Sequence, residues 1–102
     1  MPILHTVNRS PYRETTLESC LRVALPGSAL LLIEDGVYAA LASGEAALRV
    51  REALAQMRVF ALRADLLARG LGDSDLVDDV QVVDYAGFVD LACEYDKVQS
   101  WM

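Results

Sequence analysis

Five consecutive apolar residues, Ala29-Leu30-Leu31-Leu32-Ile33, lie between Pro26-Gly27 on one side and Glu34-Asp35-Gly36 on the other. A run this short, bounded by turn formers, has the length of a strand rather than of a helix. It is apolar at every position, so both of its faces have to be covered. Strands of that kind belong to parallel sheets packed between helices.

The flanking segments fit such a sheet. Ile3 to Val7 reads as a first buried strand, ended by the turn formers Asn8-Arg9-Ser10-Pro11. Thr15 or Thr16 can cap a helix in which Leu17, Leu21 and Ala24 recur at helical spacing, and Pro26-Gly27 stops it. Beyond the central run come a helical turn from Val37 to Leu41 and a helix from Glu45 to Met57. A third strand, Arg58 to Leu62, is followed by a short helix from Asp65 to Gly70, acidic at its start and glycine-ended. Val80 to Asp84 reads as a fourth strand and Tyr85 to Tyr95 as the last helix, with Phe88, Leu91, Ala92 and Tyr95 on one face. Strand and helix alternate four times. The expectation is a small three-layer α/β domain over residues 1–102, with a mainly parallel four-stranded sheet, right-handed crossovers and helices on both faces. The tail Val98 to Met102 carries Trp101 beside its last residue, an indole that a free end seldom carries unless it docks.

The chain has 102 residues, enough for one core. Its hydrophobic fraction of 54% is high for that length, and apolar side chains beyond those a core can take tend to face a partner. Fifteen acidic residues against nine basic ones give a formal charge of −6, which argues against direct binding to nucleic acid. No apolar run is long enough to span a membrane, and the start of the chain lacks the pattern of a secretory signal. Two cysteines, Cys20 and Cys93, make no disulfide framework and no CxxC metal spacing. A reducing, cytoplasmic setting is the expectation.

Reactive groups in an open α/β sheet gather beyond the carboxyl ends of the strands. Here those positions are the Asn8 to Pro11 loop, Glu34-Asp35-Gly36, Leu62 to Asp65, and Asp84-Tyr85. None carries GxGxxG, a P-loop or GxSxG, so no cofactor is expected. Glu34, Asp35 and Asp84 could pair as acid and base, but capping of turns and helices is the simpler role. His5, the single histidine, sits inside the first strand and reads as a core or sheet-edge residue, and one histidine cannot build a histidine-based metal cluster. Arg9 could hold an anion or a partner's carboxylate, although a lone loop arginine is ordinarily solvated. Cys20 falls beside the buried stripe of the first helix, as a small core hydrophobe would. The alternative is a persulfide carrier, which needs an accessible thiol of lowered pKa, and Cys20 lies past the first helical turn, where the dipole has faded. Cys93, among Phe88, Ala92 and Tyr95, reads as core.

Four stretches together resemble the DsrH/TusB family of sulfur-relay subunits, and the DsrH branch more closely: Leu4-His5-Thr6-Val7-Asn8-Arg9-Ser10-Pro11, Leu31-Leu32-Ile33-Glu34-Asp35-Gly36-Val37, Ala61-Leu62 with Asp65-Leu66 and Arg69-Gly70, and Val83-Asp84-Tyr85 with Phe88-Val89. Lys97 to Trp101 resembles the family's C-terminal end. The resemblance implies a subunit that assembles with DsrE/TusD-like and DsrF/TusC-like sisters, two of each, into a hexamer. That complex would pass persulfide sulfur to a DsrC/TusE-like carrier, with its principal reactive cysteine on the DsrE/TusD-like sister. Cys20 matches a cysteine typical of the DsrH branch, which makes it the candidate catalytic residue and points the pathway toward dissimilatory sulfur oxidation. The TusB branch would instead serve 2-thiouridine formation at tRNA wobble positions. Cys93 matches no functional position of the family.

Three expectations follow: a relay subunit carrying sulfur on Cys20, a purely structural member of the same assembly, or a stand-alone small-molecule α/β domain.

Overall fold

A computed structural model describes residues 2–102. Its sheet has five parallel strands, β1 (Ile3–Val7), β2 (Ala29–Leu32), β3 (Arg58–Leu62), β4 (Gln81–Val83) and β5 (Lys97–Trp101), in the order β4-β3-β2-β1-β5. The helices are α1 (Thr16–Val23), α2 (Ala47–Leu54), α3 (Arg63–Ala68) and α4 (Tyr85–Glu94), with 3-10 turns at Glu34–Ala40 and Asp73–Asp75.

The α/β class, the parallel sheet and the helices on both faces match the sequence reading, but the strand count is five rather than four. The extra strand is the tail, paired with β1 from Ile3↔Lys97 to Val7↔Trp101. Lys97 to Ser100 are exposed on the sheet edge. An edge strand needs no continuous apolar run, so the signal that marks β2 is missing there.

Alternation along the strands divides the core in two. Val7, Leu30, Leu32, Val59 and Ala61 pack with Leu17 and Cys20 of α1, Ala47 and Val50 of α2, and Leu66 of α3. Leu4, Ala29, Leu31 and Phe60 point the other way and pack on Leu91 of α4. The topology explains this asymmetry. From β1 to β4 the chain steps steadily in one direction, and from β4 it returns past β1 to β5. Keeping every crossover right-handed through that reversal puts α4 on the opposite face.

Two local features fix the carboxyl ends. Gly36 packs so closely on β1 that an added Cβ would overlap the Val7 carbonyl oxygen. Glu34 has φ of 48°, left-handed backbone that a non-glycine residue enters only when held there. Its N–H donates to Asp65 Oδ2 at 2.7 Å, which ties the end of β2 to α3.

Candidate functional site

The strand-end carboxylates do not form an acid–base pair. Asp35 Oδ1 accepts from Nε and Nη2 of Arg69 at 3.0 and 2.8 Å, and Nη1 of the same guanidinium donates to the Asp65 carbonyl at 2.9 Å. Arg69 also lies 6.0 Å from the centre of the Tyr38 ring. Arg69, Asp35 and Asp65 thus latch the Glu34–Ala40 turn onto α3. Asp84 stands apart as the N-cap of α4, accepting from the Gly87 N–H at 2.8 Å. Arg9 is exposed and has no ion-pair partner among the described residues. Asn8 brings to the end of β1 a buried side-chain oxygen with no hydrogen-bond partner among the described residues.

His5 is a satisfied core residue. Its Nδ1 accepts from Trp101 Nε1 at 3.0 Å, with the rings tilted at 45°. Burial holds its pKa below the ordinary 6.5, because desolvation penalises the imidazolium.

Cys20 has no accessible surface, and burial pushes its thiol up to about 12. The groove between α1 and α2, lined by Glu18, Leu21, Arg22, Arg49, Ala53 and Met57, does not include it. A sulfur acceptor acts as a thiolate, which attacks the donor persulfide's outer sulfur and releases the donor's thiolate. At Cys20 the thiol form is favoured strongly and no surface leads to the sulfur. Cys20 is one of the buried side chains of the core on the α1 face of the sheet.

The core expectation for Cys93 is corrected: it is exposed. Two residues past the buried Leu91, it lies about 200° further around the helix, which turns it outward. Phe88, Ala92 and Tyr95, its sequence neighbours, are half-buried as expected. Among the described residues no group of three or more His, Cys, Asp or Glu side chains is placed to hold a metal ion. No helix among the described residues is long and apolar enough to cross a membrane.

Sequence reasoning did not foresee the Asp35–Arg69 latch or the His5–Trp101 bond. Their partners lie 34 and 96 residues apart, and no local pattern links them.

The fold defines a class of small, parallel α/β proteins. The crystal structure of the YchN protein from E. coli superposes with a TM-score of 0.86 over 99% of each chain at 20% identity. A protein of unknown function from Methanobacterium thermoautotrophicum superposes with a TM-score of 0.72 over 95% of this chain and 96% of that one, also at 20% identity. Both likenesses concern fold alone. Sequence goes further: residues 9–98 match the family described as DsrH like protein. The TusB proteins of Shigella flexneri and of Escherichia coli K12 are 36% identical over 99 residues, spanning 97% of this chain and all of each relative. The chain belongs to the DsrH/TusB family.

Proposed function

We propose that this chain is a structural subunit of a cytoplasmic sulfur-relay complex, built with DsrE/TusD-like and DsrF/TusC-like sisters as a two-of-each hexamer. The complex passes persulfide sulfur to a DsrC/TusE-like carrier, and the reactive cysteine sits on a sister subunit. The observation that carries the structural role is Cys20, sealed in the core with its thiol pushed to about 12. Family membership supports the relay, and the similarity to TusB proteins supports tRNA wobble thiolation as its end use.

A second reading keeps Cys20 as a secondary persulfide site in sulfur oxidation. It is favoured by the match to a cysteine typical of the DsrH branch, and it requires α1 to move away from the sheet during transfer.

A Cys20→Ala chain, reconstituted with its sisters and offered a persulfide donor, tests the two. The structural reading expects sulfur loading of the complex and transfer to the carrier within twofold of the wild type. A tenfold loss of transfer from a fully assembled Cys20→Ala complex would overturn it.

A further inference from the structure

Helix α4 is more apolar than its own sheet requires. Of its ten residues only Asp90 and Glu94 are charged. Leu91 faces the core, yet Tyr85 and Val89 are each 60% exposed, and Cys93 one turn further on is exposed as well. At i, i+4 and i+8 these three line one strip of the helix. Glu94 reaches Arg58 of β3 at 3.1 Å, so the opposite flank, where Tyr85 lies, is turned toward β1 and β5, and from there the strip climbs through Val89 to the outward face at Cys93. On that side Val98 of β5, in register with Leu4 and therefore on the same sheet face, is 45% exposed.

Five strands about 4.8 Å apart span roughly 20 Å, whereas a packed helix covers about 8–10 Å. Three helices share the opposite face, and α4 covers this one alone among the described residues. Beside α4 the uncovered face of β5 presents Val98 and the hydroxyl of Ser100, so the apolar surface left on this side is concentrated on α4.

We propose that the strip Tyr85–Val89–Cys93, continued by Val98, is the surface on which this chain docks a sister subunit, one whose apolar patch is bordered by lysine or arginine. The identity of the occupant rests on the relay reading above. Its chemistry rests on charge: exposed Asp84, Asp90 and Asp96 stand at the start, along the flank and beyond the end of α4. A second copy of this chain would bring the same three carboxylates to the same border, and like charges repel across an interface.

Cys93 reports on the surface directly, because Cys20 is sealed off. The chain is pulsed with a maleimide, alone and co-purified with its sisters, and modification is read by mass on this subunit. Assembly is expected to slow labelling of Cys93 at least tenfold. Val89→Glu is expected to weaken co-purification at least tenfold and Asp90→Lys at least threefold, both with wild-type unfolding temperatures. Assembled complexes in which Cys93 reacts at the free rate and Val89→Glu binds normally would overturn the docking surface while leaving the relay reading intact. Concentration-dependent protection of Cys93 in the chain alone would make a second copy the occupant and overturn the sister. Failure of the wild-type chain to co-purify with any sister would remove the relay reading and this surface with it.

Discussion

Trp101 Nε1 donates a hydrogen bond to His5 Nδ1 at 3.0 Å, joining the last strand of the sheet to its first across 96 residues. Trp101 pairs with Val7 in the β1–β5 register, so its indole lies on the face of α1, α2 and α3 and reaches back one strand alternation to the imidazole. The acceptor nitrogen must be unprotonated, which makes the neutral imidazole with its proton on Nε2 the form that fits.

That requirement gives stability a pH dependence with a definite sign. The unfolded chain takes up the His5 proton near the ordinary 6.5, whereas the folded chain resists it until lower pH. Between those two values the unfolded state binds more protons, so acidification favours unfolding. The contribution is complete above pH 6.5, shrinks as pH falls through that value, and levels off below the folded pKa. Urea midpoints at pH 7.5, 6.5 and 5.5 are expected to fall in that order. His5→Gln is expected to flatten the change between 7.5 and 5.5, since that range brackets the ordinary pKa of histidine and His5 is the chain's single histidine. An unchanged slope in the variant would show that His5 is not its source.

Trp101→Phe keeps most of the buried apolar area but removes the donor, leaving a buried nitrogen unpaired. A loss of about 1–3 kcal/mol is expected from denaturant titration. Amide exchange should accelerate most in β5, which pairs with β1 alone.

Gly36 gives a cleaner steric test. A methyl group there meets backbone, which cannot rotate away, so Gly36→Ala should cost about 1–3 kcal/mol or more. Gly72→Ala is the control: its nearest neighbour would be the Asp75 carboxylate at 3.7 Å, ordinary contact distance, and its unfolding temperature should stay close to wild type. Backbone entropy by itself favours alanine at both sites, so equal losses would show that the approach to Val7 is not what Gly36→Ala costs.

The sheet was legible where burial acts on consecutive residues. Ala29 to Leu32 are all inaccessible, and the unbroken apolar run reports that directly. Asp84 was legible as a cap because capping is a local contract between a side chain and an N–H three residues on. β5 was not, since its exposed edge leaves Lys97, Gln99 and Ser100 free to be polar. Cys93 was misread because a helix whose outward strip is also apolar shows no contrast between its faces. Cys20 lay within reach of its neighbours Leu17 and Ala24, but spacing alone cannot say whether a residue beside the stripe keeps any surface. The Asp35–Arg69 latch depends on how α3 meets the turn after β2, which tertiary structure alone decides.

The latch predicts that Arg69→Lys is not conservative. The guanidinium holds Asp35 and the Asp65 carbonyl at once, and a single ammonium cannot reproduce that fork. Asp35 is exposed, so solvent screens the pair, and a loss of about 0.5–1.5 kcal/mol is expected. A double-mutant cycle with Asp35→Asn should return a coupling below about 1 kcal/mol. A larger coupling would mean that the pair is better shielded than its exposure indicates.

The two cysteines should separate completely under a thiol reagent. Burial pushes the Cys20 thiol up to about 12, so it stays protonated at pH 8, and no surface leads to it. Cys93 is exposed on the outer strip of α4. Reaction of the native chain with a chromogenic disulfide is therefore expected to release one equivalent of thiolate within minutes, and two in strong denaturant. Tryptic mass mapping should assign the first equivalent to Cys93. Fast native modification of Cys20 would mean that α1 opens at low cost, and it would restore that sulfur as a candidate carrier. Modification of Cys20 only at the rate of global unfolding would tie its exposure to loss of the whole core, leaving it no route to a sulfur donor while the chain is folded.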